Sequence, residues 1–355
     1  MESGKENDIQ TKESVDKNVD EEEFIKNGLK FAEEKYLIQE KIGEGTFSVV
    51  YKAVCRESGM NVAIKAITRT SAPLRILDEL KILKTLGGEQ YCIPLIDVLK
   101  NGDQVIAVFP YVKNIDFKDF IKESGPKDIQ YYMHCLLKAV AHVHSHGYIH
   151  RDIKPTNFIF DLKNSFGFLI DFGLIQKESK QHKEQPAKTE TPILFFKTTI
   201  KPSRPPGYFE NDSRPVMRAP RAGTRGFRAP EVLFKSTNQT KAIDIWSVGV
   251  LFLCILTHQY PFFLSMEDID GLVEIAQIFG HNEMRKAAKI HGRVWKSNIK
   301  EIKEEKTSFR ELVDEFNPNG FVSDEAVDLL GKMLELNPEK RITAKDALKH
   351  SYFNK

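Results

Sequence analysis

Between residues 36 and 111 apolar and polar positions alternate in short runs: YLIQEKIG, SVVYKAV, NVAIKAI, CIPLIDVL and QVIAVFPYV. Glycine, asparagine and aspartate punctuate the runs, and a period of two broken this way predicts the strands of a meander. One segment departs from the rhythm. From Leu74 to Leu86 the apolar residues Leu74, Ile76, Leu77, Leu80, Ile82, Leu83 and Leu86 follow a helical spacing. Beyond Tyr111 the helical period takes over. Met133, Leu136, Leu137, Val140 and Val143 form one stripe, and IDIWSVGVLFLCIL is apolar nearly all round, which predicts a helix buried on every side. Helices are also expected over Ile269–Phe279 and Ala326–Leu334. Large apolar residues are almost missing from the first 25 to 30 residues, so 1–30 is expected to be a solvated acidic and polar tail. The pattern divides the chain into a small, mostly β unit over 31–112 and a larger helical unit over 113–355, an α+β architecture.

Composition adds bounds. At 355 residues, 41% apolar and 29% charged, the chain can bury two cores. A net charge of +2 argues against a polybasic binder of nucleic acid or membrane surfaces. Cys55, Cys92, Cys135 and Cys254 are scattered with no metal-type spacing, which predicts free buried thiols. MESGKENDIQ lacks the apolar run of a signal peptide, and the stretch Ile245–Leu256 is too short to span a bilayer. A soluble intracellular protein is expected. Leu174–Ala222 holds seven of the sixteen prolines and reads as an irregular insertion. The lysines and arginines of Arg285–Arg310 are interleaved with Glu301, Glu304 and Glu305, so a solvated helical face fits better than a nucleic-acid patch.

Five motifs carry chemistry. Gly43-Glu44-Gly45-Thr46-Phe47-Ser48-Val49-Val50 lies between two β runs, where glycines let backbone amides approach phosphate oxygens and a valine can cover a purine. Alternation in Val62-Ala63-Ile64-Lys65 puts Ala63 and Lys65 on one face, a small residue for a base and an ammonium for phosphates. That lysine needs a carboxylate. Glu79 is a better candidate than Asp78, because apolar Leu83 follows Glu79 by one turn. His150-Arg151-Asp152-Ile153-Lys154-Pro155-Thr156-Asn157 gathers a carboxylate, a lysine and an amide within six residues. Such a set can serve a hydroxyl nucleophile, a transferring phosphoryl group and a metal. Asp171-Phe172-Gly173 follows the apolar run Phe166–Ile170, and the interval from Asn157 leaves room for one hairpin. Ala229-Pro230-Glu231 follows Gly223-Thr224-Arg225-Gly226-Phe227-Arg228. Singly each motif is weak; together and in this order they are specific.

These residues make residues 36–353 resemble a eukaryotic protein kinase, whose fold is bilobal: a β-rich N-lobe with one regulatory helix, a larger helical C-lobe and ATP in the cleft between. The resemblance implies Lys65 on the ATP phosphates, paired with Glu79; Asp152 as catalytic base; Lys154 on the γ-phosphate; and Asn157 and Asp171 on Mg2+. For the nucleotide it implies Ile42 through Val50, Ala63, Phe109 at the back of the purine pocket, Pro110-Tyr111-Val112 at the hinge and Ile159 beneath the base. It matches Leu83, Leu95, Phe172 and His150 to the side-chain stack of active kinases. Asp244 matches the residue bracing the catalytic loop, and Arg341 the partner of Glu231. Lys154 with Thr224 is the serine/threonine pattern. Lys65, Asp152 and Asp171 are all present, which opposes a pseudokinase scaffold.

HRDIKPTNFIF, GTRGFRAPEVL, the serine at the third glycine position and the insertion after Leu174 narrow the resemblance to the cell-division-cycle seven kinase. That resemblance implies a regulatory activator subunit on the N-lobe helix and on the 174–222 insertion. It also implies subunits of the replicative minichromosome-maintenance helicase as protein substrate, and a nuclear location. The alternatives are a casein-type or a cyclin-dependent-type kinase. Arg225 and Arg228 stand where kinases read the residue after the phosphoacceptor, so an acidic or phosphorylated residue is expected there. Arg151 is expected to receive a phosphate or carboxylate that orders the loop; Thr191, Thr198, Thr199 and Ser213 are available. Pro192-Ile193-Leu194-Phe195-Phe196 is an apolar knot suited to docking on a partner or on its own unit.

Overall fold

The structure, a computed structural model, describes residues 22–45, 47–68, 72–178 and 223–354. In chain order the elements begin with helix α1 (22–32) and the strands β1 (Tyr36–Gly45), β2 (Ser48–Cys55) and β3 (Asn61–Ile67). Helix α2 (Pro73–Leu86) precedes β4 (Asp97–Asn101) and β5 (Gln104–Pro110). Next come α3 (Phe117–Glu123), α4 (Pro126–Ser145), β6 (Tyr148–Ile149), β7 (Phe158–Asp161), β8 (Phe166–Leu169) and β9 (Gln176–Lys177). The remainder is helical: α5 (Pro230–Leu233), α6 (Ala242–Thr257), α7 (Asp268–Ile290), α8 (Phe309–Phe316), α9 (Asp324–Met333) and α10 (Ala344–Ala347). Two compact units result. One holds the described residues through Asp116 with Asn157–Gly173; the other holds Phe117–Thr156 with the described residues from Leu174 onward.

The first unit is an antiparallel sheet in the order β1-β2-β3-β5-β4, with the β7–β8 hairpin attached. Its inward positions, among them Ala53, Val62, Ile64, Ala66, Ile106 and Val108, alternate along the strands as the sequence requires. CIPLIDVL is strand only from Asp97. Its first half instead latches onto the hairpin, where Ile93 N–H donates to the Leu169 carbonyl and Leu169 N–H to that of Tyr91.

Helix α1 departs from the expected tail. Ile25, Leu29 and Ala32 recur at four and three residues and are buried in the core of the sheet. The stripe is too sparse to stand out among the charges around it, yet Ile25 and Leu29 each contribute about 1.5–3 kcal/mol by burial. Residues 1–21 lie outside the described residues.

The second unit is built around α6, whose residues Ile243 to Thr257 are all buried, in contact with α4, α8 and α9. The charged stretch 285–310 is helical only to Ile290 and stays irregular up to α8; Arg285 there pairs with Glu304 at 2.9 Å. Among the described residues no helix is long and apolar enough to cross a membrane. None of the four cysteines is in a disulfide; Cys55 is only half-buried, the other three are buried, and burial pushes the Cys92 and Cys254 thiols up to about 12, too high for reactive thiolates.

Candidate active site

In the first unit, antiparallel register sets Ala63 opposite Phe109 and Lys65 opposite Ala107. Lys65 Nζ lies 2.8 Å from Glu79 Oε1 on α2, and Leu83, one turn on, is buried. Gly43 pairs with Val50 and Gly45 with Ser48 across the β1–β2 turn, while Ile42 and Phe47 stay exposed. Arg75 of α2 lies over the Phe47 ring at 5.2 Å. Thr46 lies outside the described residues. Pro110, Tyr111 and Val112 leave the end of β5, with Tyr111 N–H donating to the Asn61 carbonyl.

The β7–β8 hairpin sets the two expected metal ligands side by side. Asn157, which is buried, immediately precedes β7, and its carbonyl accepts from Ile170 N–H at 2.8 Å. Asp171 follows β8 by two residues in the left-handed region (φ 61°), exposed, with Oδ1 accepting from Gly173 N–H. Glu79 also approaches this turn: a Cβ placed on Gly173 would stand 3.5 Å from Glu79 Oε2. The 171–173 turn and the Lys65–Glu79 pair therefore neighbour one another. Ile159 pairs with Phe168 in the hairpin.

In the second unit the chemistry centres on Asp152. Its Oδ1 accepts from Thr224 N–H (2.9 Å) and Thr224 Oγ1–H (2.7 Å), and its Oδ2 lies 2.8 Å from Lys154 Nζ. Lys154 also donates to Thr224 Oγ1 at 3.0 Å. Burial disfavours the Asp152 anion, but the hydrogen bonds from Lys154 and Thr224 outweigh it and hold the pKa below the usual carboxylate range. The result is an ionised, oriented carboxylate beside an ammonium, able to accept a proton from a hydroxyl.

Asp244, in the first turn of α6, braces this loop from beneath. It accepts from His150 N–H, Arg151 N–H and His144 Nε2, each at 2.8 Å. It is fully buried, yet those donors and the helix N-terminus keep it ionised, with its pKa lowered. Gly223 explains the rigid start of GTRGFRAPE. At φ 97° a side chain is strained, and its Cβ would fall 2.8 Å from the Arg151 carbonyl. At Gly226 (φ 80°) a Cβ would meet the Phe263 carbonyl at the same distance.

The two arginines of that segment differ. Arg228 donates from Nε to the Gly223 carbonyl (2.9 Å) and pairs with Asp268 (3.0 Å). Arg225 is exposed at the rim of a small cleft lined by Phe263, Leu233 and Ile275, and makes no ion pair among the described residues. Farther in, Glu231 and Arg341 form a two-pronged pair (2.8 and 3.0 Å) at 0% exposure on both sides. No local pattern signals His144, Asp268, Gln176 or Gln239, each of which meets its partner 25 to 100 residues away. The insertion beyond Glu178, with Thr191, Thr198, Thr199, Ser213 and 192–196, lies outside the described residues.

A protein kinase is the class this arrangement defines: residues 36–353 match the protein kinase domain, and the chain belongs to that family. Within it the chain is 55% identical over 342 residues to the probable cell division control protein 7 homolog 2 of Encephalitozoon cuniculi, covering 95% of this chain and 97% of that one. It is 39% identical to the cell cycle serine/threonine-protein kinase hsk1 of Schizosaccharomyces pombe (90% and 73%). It is 26% identical to the cell division cycle 7-related protein kinase of Homo sapiens (90% and 89%). The chain is thus an ATP-dependent serine/threonine kinase of the cell-division-control 7 type.

Proposed function

We propose that the chain phosphorylates serine or threonine followed by an acidic or phosphorylated residue, and that Arg225 reads that residue. The exposed Arg225 guanidinium carries the proposal, standing free of ion pairs among the described residues while Arg228 is committed to Asp268 and Gly223. A guanidinium of this kind can grip a carboxylate or phosphate with two parallel hydrogen bonds. The substrate-reading role expected of both arginines thus rests on Arg225 alone.

In this account Asp152 accepts the proton of the substrate hydroxyl, and Lys154, on the other carboxylate oxygen, faces the transferring phosphoryl group. Lys65, held by Glu79, takes the nucleotide phosphates. The segment Ile42–Val50 with Ala63, Phe109, Pro110–Val112 and Ile159 holds the nucleotide. Asn157 and Asp171 would hold Mg2+ through the hard oxygen donors that suit it. When bound, ATP would supply the phosphoryl group and Mg2+ would offset the charge that develops on it.

Partners follow the same logic. The outer face of α2 exposes Leu74 (76%) and Leu77 (47%), an apolar pair that supports docking of an activator subunit there. We further propose replicative helicase subunits as substrate and a nuclear location, on the resemblance carried by HRDIKPTNFIF and GTRGFRAPEVL in the sequence; microscopy of the tagged chain checks the location. The test of specificity compares peptides alike except for Asp, Ala or Pro after the serine. The account expects the Asp peptide to lead by at least tenfold in kcat/KM, and Arg225→Ala to erase that lead. A lead for Pro, or an Asp preference untouched by Arg225→Ala, overturns it.

A further inference from the structure

Arg151 adjoins Asp152 and sits in the left-handed region (φ 72°), 7% exposed. No carboxylate among the described residues pairs with its guanidinium. Asp244 takes the backbone N–H of Arg151, while the side chain ends on two neutral amides. Nη1 donates to Gln176 Oε1, and Nη2 donates to Gln239 Oε1 at 2.7 Å. The Gln239 amide is itself oriented, because its Nε2 donates to the Ser236 carbonyl at 3.1 Å and leaves Oε1 for Arg151. Gln176 is placed by the β6–β9 register, opposite Ile149 and two residues before Arg151.

We propose that Gln176 and Gln239 are positioning residues that anchor the two Nη atoms of Arg151 with neutral acceptors, so that Asp152 is held without any phosphate or carboxylate delivered to Arg151. A buried guanidinium must find acceptors, and hydrogen bonds to a charged donor are the stronger kind. Here each Nη atom already donates to an amide, while the buried Nε has no acceptor among the described residues. A phosphate reaching either Nη would compete with an amide already in place, at a side chain that is almost wholly covered. Burial lowers the pKa of Arg151, and the nearby Asp244 charge opposes the shift. The side chain, pinned at the guanidinium, in turn fixes a strained backbone one residue before the base.

The test compares Gln239→Leu, which keeps the volume and removes the acceptor, with Gln239→Glu, which keeps the acceptor, in the full-length chain. Gln176→Leu, at a more exposed position, is the parallel variant if Gln239→Leu fails to fold. Amide hydrogen exchange over 148–156 is read with and without phosphatase treatment, alongside steady-state kinetics on a serine peptide. The leucine variant is expected to speed exchange there and to lower kcat, each by about tenfold, with the KM for ATP within about twofold. The glutamate variant should recover most of both losses. Phosphatase should leave the wild-type exchange unchanged. A leucine variant equal to wild type, a glutamate variant worse than leucine, or loss of protection on dephosphorylation each overturns the proposal.

Discussion

Thr224 is joined to Asp152 twice, its backbone N–H and its hydroxyl both donating to Oδ1, at 2.9 and 2.7 Å. Because the hydroxyl also accepts from Lys154, one side chain fixes the mutual geometry of an anion and a cation. Thr224→Val keeps the backbone link and the shape but removes the hydroxyl. It is expected to lower kcat by about tenfold, the worth of one hydrogen bond to a charged group, while Thr224→Ser stays within about threefold of wild type. Peptide kinetics at saturating ATP check this.

Helix α1 belongs to the core of the first unit through Ile25 and Leu29. Leu29→Ala should therefore destabilise that unit by about 2–3 kcal/mol. A lower urea midpoint with unchanged slope is the expected result. A tail lying free in solvent would give no change.

Legibility in the sequence followed the range of the interaction. The strands of the sheet, α2, α4 and α6 were readable because their periods are local and their apolar stripes dense. Glu79 was readable from its spacing to Leu83, and the β7–β8 hairpin from the interval between Asn157 and Asp171. Helix α1 was missed because its stripe is only three residues long amid charges. The first half of CIPLIDVL misled because strand propensity cannot show that the hairpin, far along the chain at Leu169, takes its hydrogen bonds. Arg228 and Arg225 look alike in sequence; Asp268, packed against one of them, separates a structural arginine from one with no ion pair among the described residues.

Glu231 and Arg341 exchange two hydrogen bonds with no solvent access, and Arg341 also donates to the carbonyls of Ala242 and Glu335. Removing one partner leaves a buried charge uncompensated. Arg341→Met or Glu231→Leu should each cost about 3–5 kcal/mol, and the double variant less than the sum of the two. Equilibrium unfolding of the four proteins in a cycle measures this.

His291 is held neutral, its pKa lowered first by burial, with Arg341 adding to the shift and Glu231 opposing it; burial lowers His134 as well. A histidine with a folded pKa below its unfolded value takes up its proton preferentially in the unfolded chain. Its effect on stability is nil well above the unfolded value of about 6.5 and unfavourable as the pH falls below it. The urea midpoint should drop between pH 7.5 and 5.5. His291→Leu should reduce that drop while changing the midpoint little at pH 7.5. A drop of equal size in the variant contradicts the assignment.

The role of the Asp152 carboxylate in phosphoryl transfer is read most directly from transfer of phosphate from Mg-ATP to a serine-aspartate peptide by the kinase, purified with its cellular partners, set against Asp152→Asn. The amide keeps the shape and an acceptor oxygen for Thr224 but cannot take a proton. The account predicts a loss in kcat of about a hundredfold or more, with the KM for ATP within about threefold. An Asp152→Asn enzyme retaining kcat within a few fold of wild type would contradict it.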